Sequence, residues 1–315
     1  MWGKNQSGSQ RFYCLICKQS FTRKRPDISK LNRFSWFKRW LKGSSIEQIA
    51  DSGRKSPITI RRAIHWYLDC LPKPNPCPNL NCYPVIDATW FGRENCLLVY
   101  WDKALTKAQW WRWSQRKEAA WEIIEDIDNL KKSKVIFKAA TTDGAPGIKM
   151  ALDYVYPHIP KQRCLVHLQR MGLAFLTQRP KTLAGLQLRN IVLKINQIKT
   201  HSDHYLWQKE FYSWCNRYYA FLKQKSYSFE KKNWWYTHKS LRKTRRMIIN
   251  ALPNMWHCLD NRNISKDTNG LEGRWGNLKG HFRDHKGLSK SRRKAYLSWY
   301  LTVVINKELP TRFDH

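Results

Sequence analysis

The stretch Tyr83-Pro84-Val85-Ile86-Asp87-Ala88-Thr89-Trp90 indicates how the chain folds, because it sets one carboxylate inside a short apolar run. Val85 and Ile86, flanked by aromatic residues and preceded by the helix-stopping Pro84, predict a buried strand. A buried aspartate is costly unless it is paired or binds a cation, so Asp87 is a candidate metal ligand. The alternative is a strand-end aspartate that caps a loop, and this stretch alone does not decide between the two.

Two later stretches each set a carboxylate beside a structural break. They are Ala140-Thr141-Thr142-Asp143-Gly144-Ala145-Pro146-Gly147 and Thr268-Asn269-Gly270-Leu271-Glu272-Gly273-Arg274-Trp275. Glu272 alone has a simpler explanation, as an acidic residue favoured by the dipole at a helix N-terminus. Three gathered acids, however, would be poorly tolerated without a metal ion or a cationic neighbour. Carboxylates that hold two divalent ions serve phosphoryl transfer between nucleic-acid strands, which favours Mg²⁺ as the ion.

The composition favours a polyanionic partner. The chain has 315 residues, and its 58 Lys and Arg against 23 Asp and Glu give a formal charge of +35. Nucleic acid is the natural candidate and an anionic membrane surface is the alternative. No apolar run approaches the ~18 residues of a membrane span, and the first residues lack the apolar core of a signal peptide. Nine cysteines without a repeating framework predict reduced thiols and a cytosolic setting.

Cys14 and Cys17 have the spacing of a zinc knuckle, in which two thiolates chelate one ion from a tight turn. A structural Zn²⁺ needs four ligands, and no second cysteine pair lies nearby. Cys77 and Cys82, about sixty residues downstream, fit poorly as that pair. The residues therefore resemble half of a zinc ribbon. The alternative is two unmetallated thiols in a basic hairpin.

Residues 31–70 read as three helices. Phe34, Phe37 and Trp40 share one face of the first, Gly43 ends it, and Ser44 or Ser45 caps the second. The third begins with Ser56 as N-cap and Pro57 as first helical residue. This layout favours a helix-turn-helix that binds DNA, over an ordinary three-helix packing unit. The residues that would face a major groove are Thr59, Arg61 and Arg62.

A proline-rich linker precedes a region that alternates strand and helix patterns. Four prolines within residues 71–78 predict a domain boundary. Further strands are predicted at 96–101, 108–114, 135–140 and 161–164, with helices over 117–130 and from Pro146. Three meandering strands, a crossover helix and then strand, helix and strand give a mixed α/β sheet. In that order, Asp87 and Asp143 can lie side by side.

From about residue 167 to 265 the strand signal vanishes, and the composition becomes helical, aromatic and basic. Such rings can stack on exposed bases, although at helical spacing aromatic rings are more often part of a core. An apolar closing helix is predicted from Leu297 to Ile305. The candidate DNA-binding residues in this region and in the segment around Glu272 that follows it are Lys231, Lys232, Arg242, Lys243, Arg245, Arg246, Arg274, Lys279 and Arg283.

Four motifs occur in an order that resembles a known family. They are Ile86-Asp87-Ala88-Thr89-Trp90, Thr142-Asp143-Gly144-Ala145-Pro146-Gly147, Arg163-Cys164-Leu165-Val166-His167 and Thr268-Asn269-Gly270-Leu271-Glu272-Gly273. Together they resemble mutator-like DDE transposases, and more narrowly the bacterial insertion-sequence transposases whose N-terminus carries a zinc ribbon. The similarity covers nearly the whole chain. The Cys-x-x-His element and the Asn-Gly-Leu-Glu block are its more specific parts.

The resemblance implies an α/β fold: an RNase H-like core with a mixed five-stranded sheet, interrupted by a large helical insertion. Its segments would be a truncated zinc-ribbon-like piece (1–28), a helix-turn-helix (29–71), a linker (72–82), the first part of the core (83–167), the insertion (168–265) and the C-terminal part of the core (266–315). Family members carry a further cysteine pair before a turn like Gly3-Lys4-Asn5, and this chain starts at that turn, so the zinc site stays an open question.

The resemblance also implies an activity. Asp87, Asp143 and Glu272 would be the catalytic triad that binds Mg²⁺, for which Mn²⁺ substitutes. The enzyme would cleave the ends of an insertion sequence and join the 3′-hydroxyl to target DNA. Cys164 and His167 are expected to support the site structurally rather than to bind the catalytic ions.

The expected partners are double-stranded DNA, as terminal inverted repeats and target, and a second copy of the chain on paired ends. No membrane partner is expected, and the expected location is the bacterial cytoplasm, at the nucleoid. The alternative function is that of a non-catalytic or truncated remnant that still binds the terminal repeats.

Overall fold

The computed structural model of the protein describes residues 3–6, 8, 10–22, 26–92, 95–114, 119–230, 232–285 and 287–308, and for residues 26–30 the backbone alone. The chain is a mixed α/β protein, as the sequence predicts, with a five-stranded mixed sheet and many helices. Its internal contacts divide it into two units. The first combines Met1–Pro74 with Gly276–His315, and the second is Asn75–Trp275.

The first unit begins with a short hairpin and three helices. Strands β1 (Arg11–Tyr13) and β2 (Ser20–Thr22) pair antiparallel. Helices α1 (Pro26–Leu41), α2 (Ile46–Gly53) and α3 (Pro57–Leu68) follow. The predicted caps are present: Ser45, rather than Ser44, caps α2, and Ser56 caps α3 with Pro57 as its first residue.

The second unit is built on the sheet. Its elements are β3 (Asn79–Cys82), β4 (Pro84–Phe91), β5 (Asn95–Asp102), β6 (Lys107–Ser114), α4 (Ala120–Lys132), β7 (Val135–Phe137), β8 (Ala140–Thr142), α5 (Pro146–Val155) and β9 (Lys161–Arg163). The strand order is β6-β5-β4-β8-β9. Strands β4, β5 and β6 are antiparallel neighbours, whereas β8 and β9 run parallel to β4 after helical crossovers.

The sheet's apolar residues pack against α4 and α5. Ile86 and Tyr100 from the sheet are fully buried together with Ile123 and Ile127 of α4 and Ile148 of α5. The apolar stripe of the sequence therefore predicts α4 correctly, and α5 begins at Pro146, where its start is predicted.

Two details of the sheet differ from the sequence prediction. The predicted linker 72–82 contains strand β3, which pairs in parallel with β7 because its backbone meets an open edge there. Cys82 is buried in the sheet's core, so this segment is not a linker to its end. The predicted strand 135–140 is two strands, β7 and β8, and these belong to different sheets.

The rest of the second unit is mostly helical. Its elements are α6 (Leu165–Leu176), α7 (Leu183–Lys194), α8 (His201–Arg217), α9 (Tyr219–Lys223), β10 (Lys225–Ser228), β11 (Asn233–Tyr236), α10 (Lys239–Ala251) and α11 (His257–Asp260). Many rings form its core, including Trp207, Phe211 and Trp214. The absence of strands predicted for this region is wrong, because β10 and β11 form an antiparallel hairpin.

The chain closes with α12 (Asn269–Asp284), α13 (Lys290–Trp299) and a π-helical continuation, Tyr300–Ile305. The sequence places 266–315 in the core, whereas Gly276–His315 pack with the first unit. Trp299 explains this difference: its Nε1 donates to the carbonyl oxygens of Tyr67 and Cys70 at 2.8 and 2.9 Å. Across the described ranges, no helix is both long and apolar enough to cross a membrane.

Candidate active site

The pairing of two strands brings the first two predicted carboxylates together. Strand β4 runs parallel to β8, with Val85 opposite Thr141 and Ile86 opposite Thr142. One residue further along each strand, that register reaches Asp87 and Asp143. The two carboxylates are close enough that the charge of Asp143 acts on Asp87. The side-by-side arrangement predicted from strand order is therefore present.

Asp87 is a buried carboxylate with few hydrogen-bond donors around it. Its side chain is 4% exposed, and its Oδ2 accepts a hydrogen bond from Trp275 Nε1 at 3.1 Å. Burial raises the pKa of Asp87 to about 6; the Trp275 hydrogen bond opposes the rise, and the Asp143 carboxylate adds to it. Near neutral pH the site therefore holds a poorly compensated negative charge, which a cation would stabilise.

Asp143 lies in a tight turn directly after β8. Its Oδ1 accepts the Ala145 N–H at 2.9 Å, an Asx turn that leads into α5. Gly144 has φ +77°, and a Cβ there would overlap the Arg163 guanidinium. The positive φ is what favours glycine in this turn, since the Arg163 guanidinium is the end of a flexible side chain. The positive charge of Arg163, in turn, interacts favourably with Asp143.

Glu272 reaches the same region through a segment bonded to the sheet and to α6. Thr141 Oγ1 donates to the Ser265 carbonyl oxygen at 2.7 Å. The Leu165 N–H donates to the Lys266 carbonyl oxygen at 3.0 Å. Helix α12 starts three residues after Lys266, so Glu272 lies in its first turn, 129 residues along the chain from Asp143.

Cys164 and His167 form one hydrogen-bonded unit with Thr268. Cys164 is fully buried at the N-cap of α6, where its Sγ accepts the Thr268 N–H at 3.3 Å. His167 Nδ1 lies 3.3 Å from that Sγ and 3.2 Å from Thr268 Oγ1. Burial opposes ionisation of the thiol, but hydrogen bonds from His167 and Thr268 outweigh it and lower the pKa of Cys164. The contact with Cys164 in turn raises the pKa of His167, as do the charges of Asp87 and Glu272.

These bonds fix the orientation of the imidazole between the carboxylates. With Nδ1 held by Cys164 and Thr268, the other ring nitrogen, Nε2, lies 3.3 Å from Glu272 Oε1. His167 also interacts electrostatically with Asp87. The ring therefore contacts Glu272 and interacts electrostatically with Asp87.

Glu272 itself is bound by an arginine. Arg170 Nη1 donates to Oε1 at 2.8 Å and to Oε2 at 2.6 Å, and this contact raises the pKa of Arg170. His167 and Arg170 are one helical turn apart on α6, so both reach Glu272 from the same face. In this arrangement the carboxylate of Glu272 is neutralised by protein groups.

Carboxylate oxygens suit a divalent cation, but the three carboxylates do not surround one position. Within the part of the chain that the structure describes, no three Asp, Glu, His or Cys side chains are grouped so that they could hold a metal ion. Asp87 and Asp143 are the closest approach to such a site, because their hard oxygens suit Mg²⁺ and the charge of Asp87 is poorly compensated. Glu272 is bound to Arg170 instead.

The predicted DNA-binding residues fall in both units. Thr59, Arg61 and Arg62 are exposed on α3, and Lys279 and Arg283 are exposed on α12. In the second unit, Lys232, Lys243 and Arg246 are exposed, whereas Arg242, Arg245 and Arg274 are half-buried. Lys231 lies outside the described residues.

Half-buried arginines of the second unit make contacts within the fold. The Arg242 guanidinium lies 3.5 Å from the Tyr236 ring centre, and Arg274 lies 4.4 Å from that of Trp101. Arg242 also donates to the Leu222 carbonyl oxygen at 2.8 Å. Each of these two guanidinium groups therefore already contacts an aromatic ring of the protein, so a count of basic residues overstates the charge that is free to bind DNA.

Cys14 and Cys17 lie in the turn of the β1–β2 hairpin, with Cys14 half-buried and Cys17 exposed. Hydrogen bonds from the backbone N–H groups of Cys17 and Ile16, and then from the Cys17 side chain, lower the pKa of Cys14. Backbone donors that converge on one sulfur favour its thiolate form, the form that binds metal.

Sequence reasoning did not find Arg170, Trp275 and Thr268 as members of the site. Arg170 was detectable in principle, because it follows His167 by three residues on a predicted helix. Trp275 follows Glu272 by the same spacing, yet its bond to Asp87 spans 188 residues of sequence. No local pattern reports a contact at that separation.

Compared with protein-family models and with curated proteins, the chain matches none of them. The chemistry of the site therefore rests on the geometry of the chain's own residues. Two features define that geometry: the adjacent aspartates of β4 and β8, and the contact of Glu272 with His167, which interacts with Asp87.

Proposed function

We propose that the protein is a DNA transposase of the mutator-like DDE type with an RNase H-like core. It would cleave the ends of an insertion sequence and join the freed 3′-hydroxyl to target DNA. The observation that carries the proposal is the register of β4 and β8, which sets the buried Asp87 beside Asp143. Three antiparallel strands followed by two parallel ones agree with the topology that such a core requires.

Asp87 and Asp143 are the residues that would hold Mg²⁺, or Mn²⁺ in its place, with Glu272 as the third ligand. When bound, the divalent ions supply the positive charge and the activated water that phosphoryl transfer needs. The fit rests on two adjacent oxygen ligands and on the burial of Asp87, which makes its charge costly until a cation neutralises it.

The protein's own groups position the third ligand. His167, oriented by Cys164 and Thr268, contacts one oxygen of Glu272 and so limits where that carboxylate can move. Arg170 neutralises the charge of Glu272 by donating hydrogen bonds to both of its oxygens. These bonds leave the carboxylate few free lone pairs for a metal ion, so Glu272 would have to leave Arg170 in order to bind one. Trp275 holds one oxygen of Asp87 in place.

The basic surface would bind the substrate. A charge of +35 favours tight, salt-sensitive binding to DNA phosphates, as element ends and as target. The exposed residues at the start of α3 suit a major groove, and a second copy of the chain would bind the paired end. Cys14 and Cys17 would supply two ligands of a zinc ribbon. We place this activity in the bacterial cytoplasm, at the nucleoid.

The test is metal-dependent nicking of the DNA that flanks the gene. Asp87→Asn keeps the shape of the side chain and removes its charge, so we expect cleavage to fall by at least about a thousandfold. DNA binding, measured by anisotropy in the same buffer, should change by less than about twofold, because the phosphate contacts are elsewhere. Asp128→Asn, at an exposed carboxylate on α4, is the matched control and should cleave as wild type does.

Each outcome of this experiment is informative. Equal cleavage by Asp87→Asn and wild type would refute the role of the carboxylate. Binding to terminal repeats without cleavage by either protein, in both Mg²⁺ and Mn²⁺, would favour the alternative of a non-catalytic remnant.

A further inference from the structure

The β10–β11 hairpin exposes aromatic surface that the fold does not use for its core. Tyr227, Phe229 and Trp234 are 51%, 88% and 53% exposed. By contrast, Trp207 and Phe211 in the same helical region are at most 3% exposed and stack within its core. Exposed aromatic rings contribute little to stability, and a cluster of them on a protein surface is typical of a binding site.

The strand register gathers these rings on one side of the hairpin. Tyr227 pairs with Trp234 and Lys225 pairs with Tyr236, and residues directly opposite each other on antiparallel strands share a face. Trp234 and Tyr236 meet edge to face at 5.4 Å between ring centres. We call the surface made by Lys225, Tyr227, Trp234 and Tyr236 the hairpin face.

Cations lie directly beside the rings of the hairpin face. Lys225 Nζ is 4.1 Å from the centre of the Trp234 ring. The Arg242 guanidinium is 3.5 Å from that of Tyr236. Two of the three rings, Trp234 and Tyr236, thus have a positive charge at their surface, an arrangement that offers both stacking and phosphate contacts to a nucleotide.

We propose that the hairpin face binds unpaired nucleotides, stacking their bases on Tyr227 and Trp234 while Lys225 and Arg242 contact the phosphates. Unpaired bases fit better than a duplex, because the flat faces of paired bases are hidden within the stack. A second copy of this chain fits poorly, because it would bring a further charge of +35 to an already basic surface. Binding of this kind goes beyond strand cleavage and holds whether or not the carboxylates cut DNA.

The experiment compares single-stranded and duplex DNA with the full chain in EDTA, where no cleavage takes place. Anisotropy of a labelled oligothymidine and of a duplex of equal length gives the two affinities at one salt concentration. We expect Trp234→Ala to weaken oligothymidine binding by about tenfold, the loss of one base stack, and duplex binding by less than about twofold. Trp234→Phe keeps a ring and should restore most of the affinity.

The matched control is Trp121→Ala, because Trp121 is 59% exposed on α4, outside the hairpin. It should leave both affinities unchanged. Lys225→Ala should weaken binding to both DNAs and reduce the salt dependence, since it removes one phosphate contact. Circular dichroism and the unfolding midpoint establish that each variant is folded.

Three results would overturn the proposal. One is an equal loss of single-strand and duplex binding in Trp234→Ala, and another is no loss in either. The third is a change of oligomeric state by sedimentation in Trp234→Ala with unchanged oligothymidine binding, which would assign the face to a second copy.

Discussion

Asp87 and Asp102 are both buried aspartates of the β4–β5 ladder, Asp102 at its end and Asp87 in its middle, and their surroundings differ. Asp102 lies opposite Pro84, at the start of β4, and is 1% exposed. Its carboxylate accepts hydrogen bonds from Asn79, Cys82, Ala104, Leu105 and Gln109. Asp87 is 4% exposed and accepts one side-chain hydrogen bond, from Trp275.

Because of this difference, the buried charge of Asp102 stabilises the fold and that of Asp87 destabilises it. Donors around Asp102 replace the water that it loses on burial, and they tie β3, β5, β6 and the following turn together. Asp87 keeps lone pairs without donors, so its burial costs stability unless a cation is bound. A strongly perturbed carboxylate beside a like charge is typical of functional sites.

The largest effect that we expect from this comparison is the loss of the Asp102 carboxylate. Asp102→Ala leaves buried donors without an acceptor, and should lower the free energy of unfolding by about 3–5 kcal/mol. Urea unfolding at neutral pH measures this loss. Asp128→Ala, at an exposed position on α4, is the control and should change stability by less than about 0.5 kcal/mol. A loss below about 1 kcal/mol for Asp102→Ala would break the comparison.

Removing the charge of Asp87 should raise the free energy of unfolding, whereas removing the Asp102 carboxylate lowers it. Its pKa of about 6 lies above the ordinary value of 3.8, so the folded chain holds a proton that the unfolded chain releases. Its contribution to stability is therefore complete below about pH 4 and lost as the pH rises through 6. Asp87→Asn removes this dependence. In EDTA, the variant should gain about 2–3 kcal/mol over wild type between about pH 4 and pH 8.

Denaturant unfolding across that pH range measures the gain of Asp87→Asn. Asp128→Asn, at an exposed position on α4, serves as its control, and should show no such gain. A stability difference that stays constant with pH would mean that Asp87 titrates as an ordinary carboxylate, and the contrast with Asp102 would disappear.

The smallest expected effect concerns Arg170. Its ion pair with Glu272 is partly exposed, with the two side chains 57% and 27% exposed, and such pairs contribute about 0.5–1 kcal/mol. If Glu272 must leave Arg170 to bind a cation, Arg170→Ala should raise the affinity for Mn²⁺ about two- to fivefold. Electron paramagnetic resonance of free Mn²⁺ measures this without DNA or cleavage. Arg179→Ala, at an exposed position after α6, is the control, and weaker Mn²⁺ binding by Arg170→Ala would contradict the prediction.

Much of the fold could be predicted from local patterns. The caps at Ser45 and Ser56, the strands flanking Asp87 and the stripe of α4 follow from residue spacing within one element. Strand order then brings Asp87 and Asp143 together, because a parallel crossover leaves few alternatives.

The features that the sequence did not predict depend on distant partners. Strand β3 forms because β7 offers an open edge, although its own residues, Asn79–Cys82, follow a run of prolines. The β10–β11 hairpin is rich in aromatic residues, which suit strands, but it is too short to interrupt a helical composition clearly. The pairing of Arg170 with Glu272 spans 102 residues, and no periodic signal exists at that distance.

The bonds that join residues 265–268 to β8 and α6 also bear on when the site forms during synthesis. All pairings of the five-stranded sheet lie within residues 84–163, so this sheet can assemble before the helical region that follows it has been synthesised. The contact of Thr141 with Ser265 closes a loop of 124 residues, and must wait for the intervening helices. A nascent chain therefore carries the aspartate pair well before Glu272 arrives.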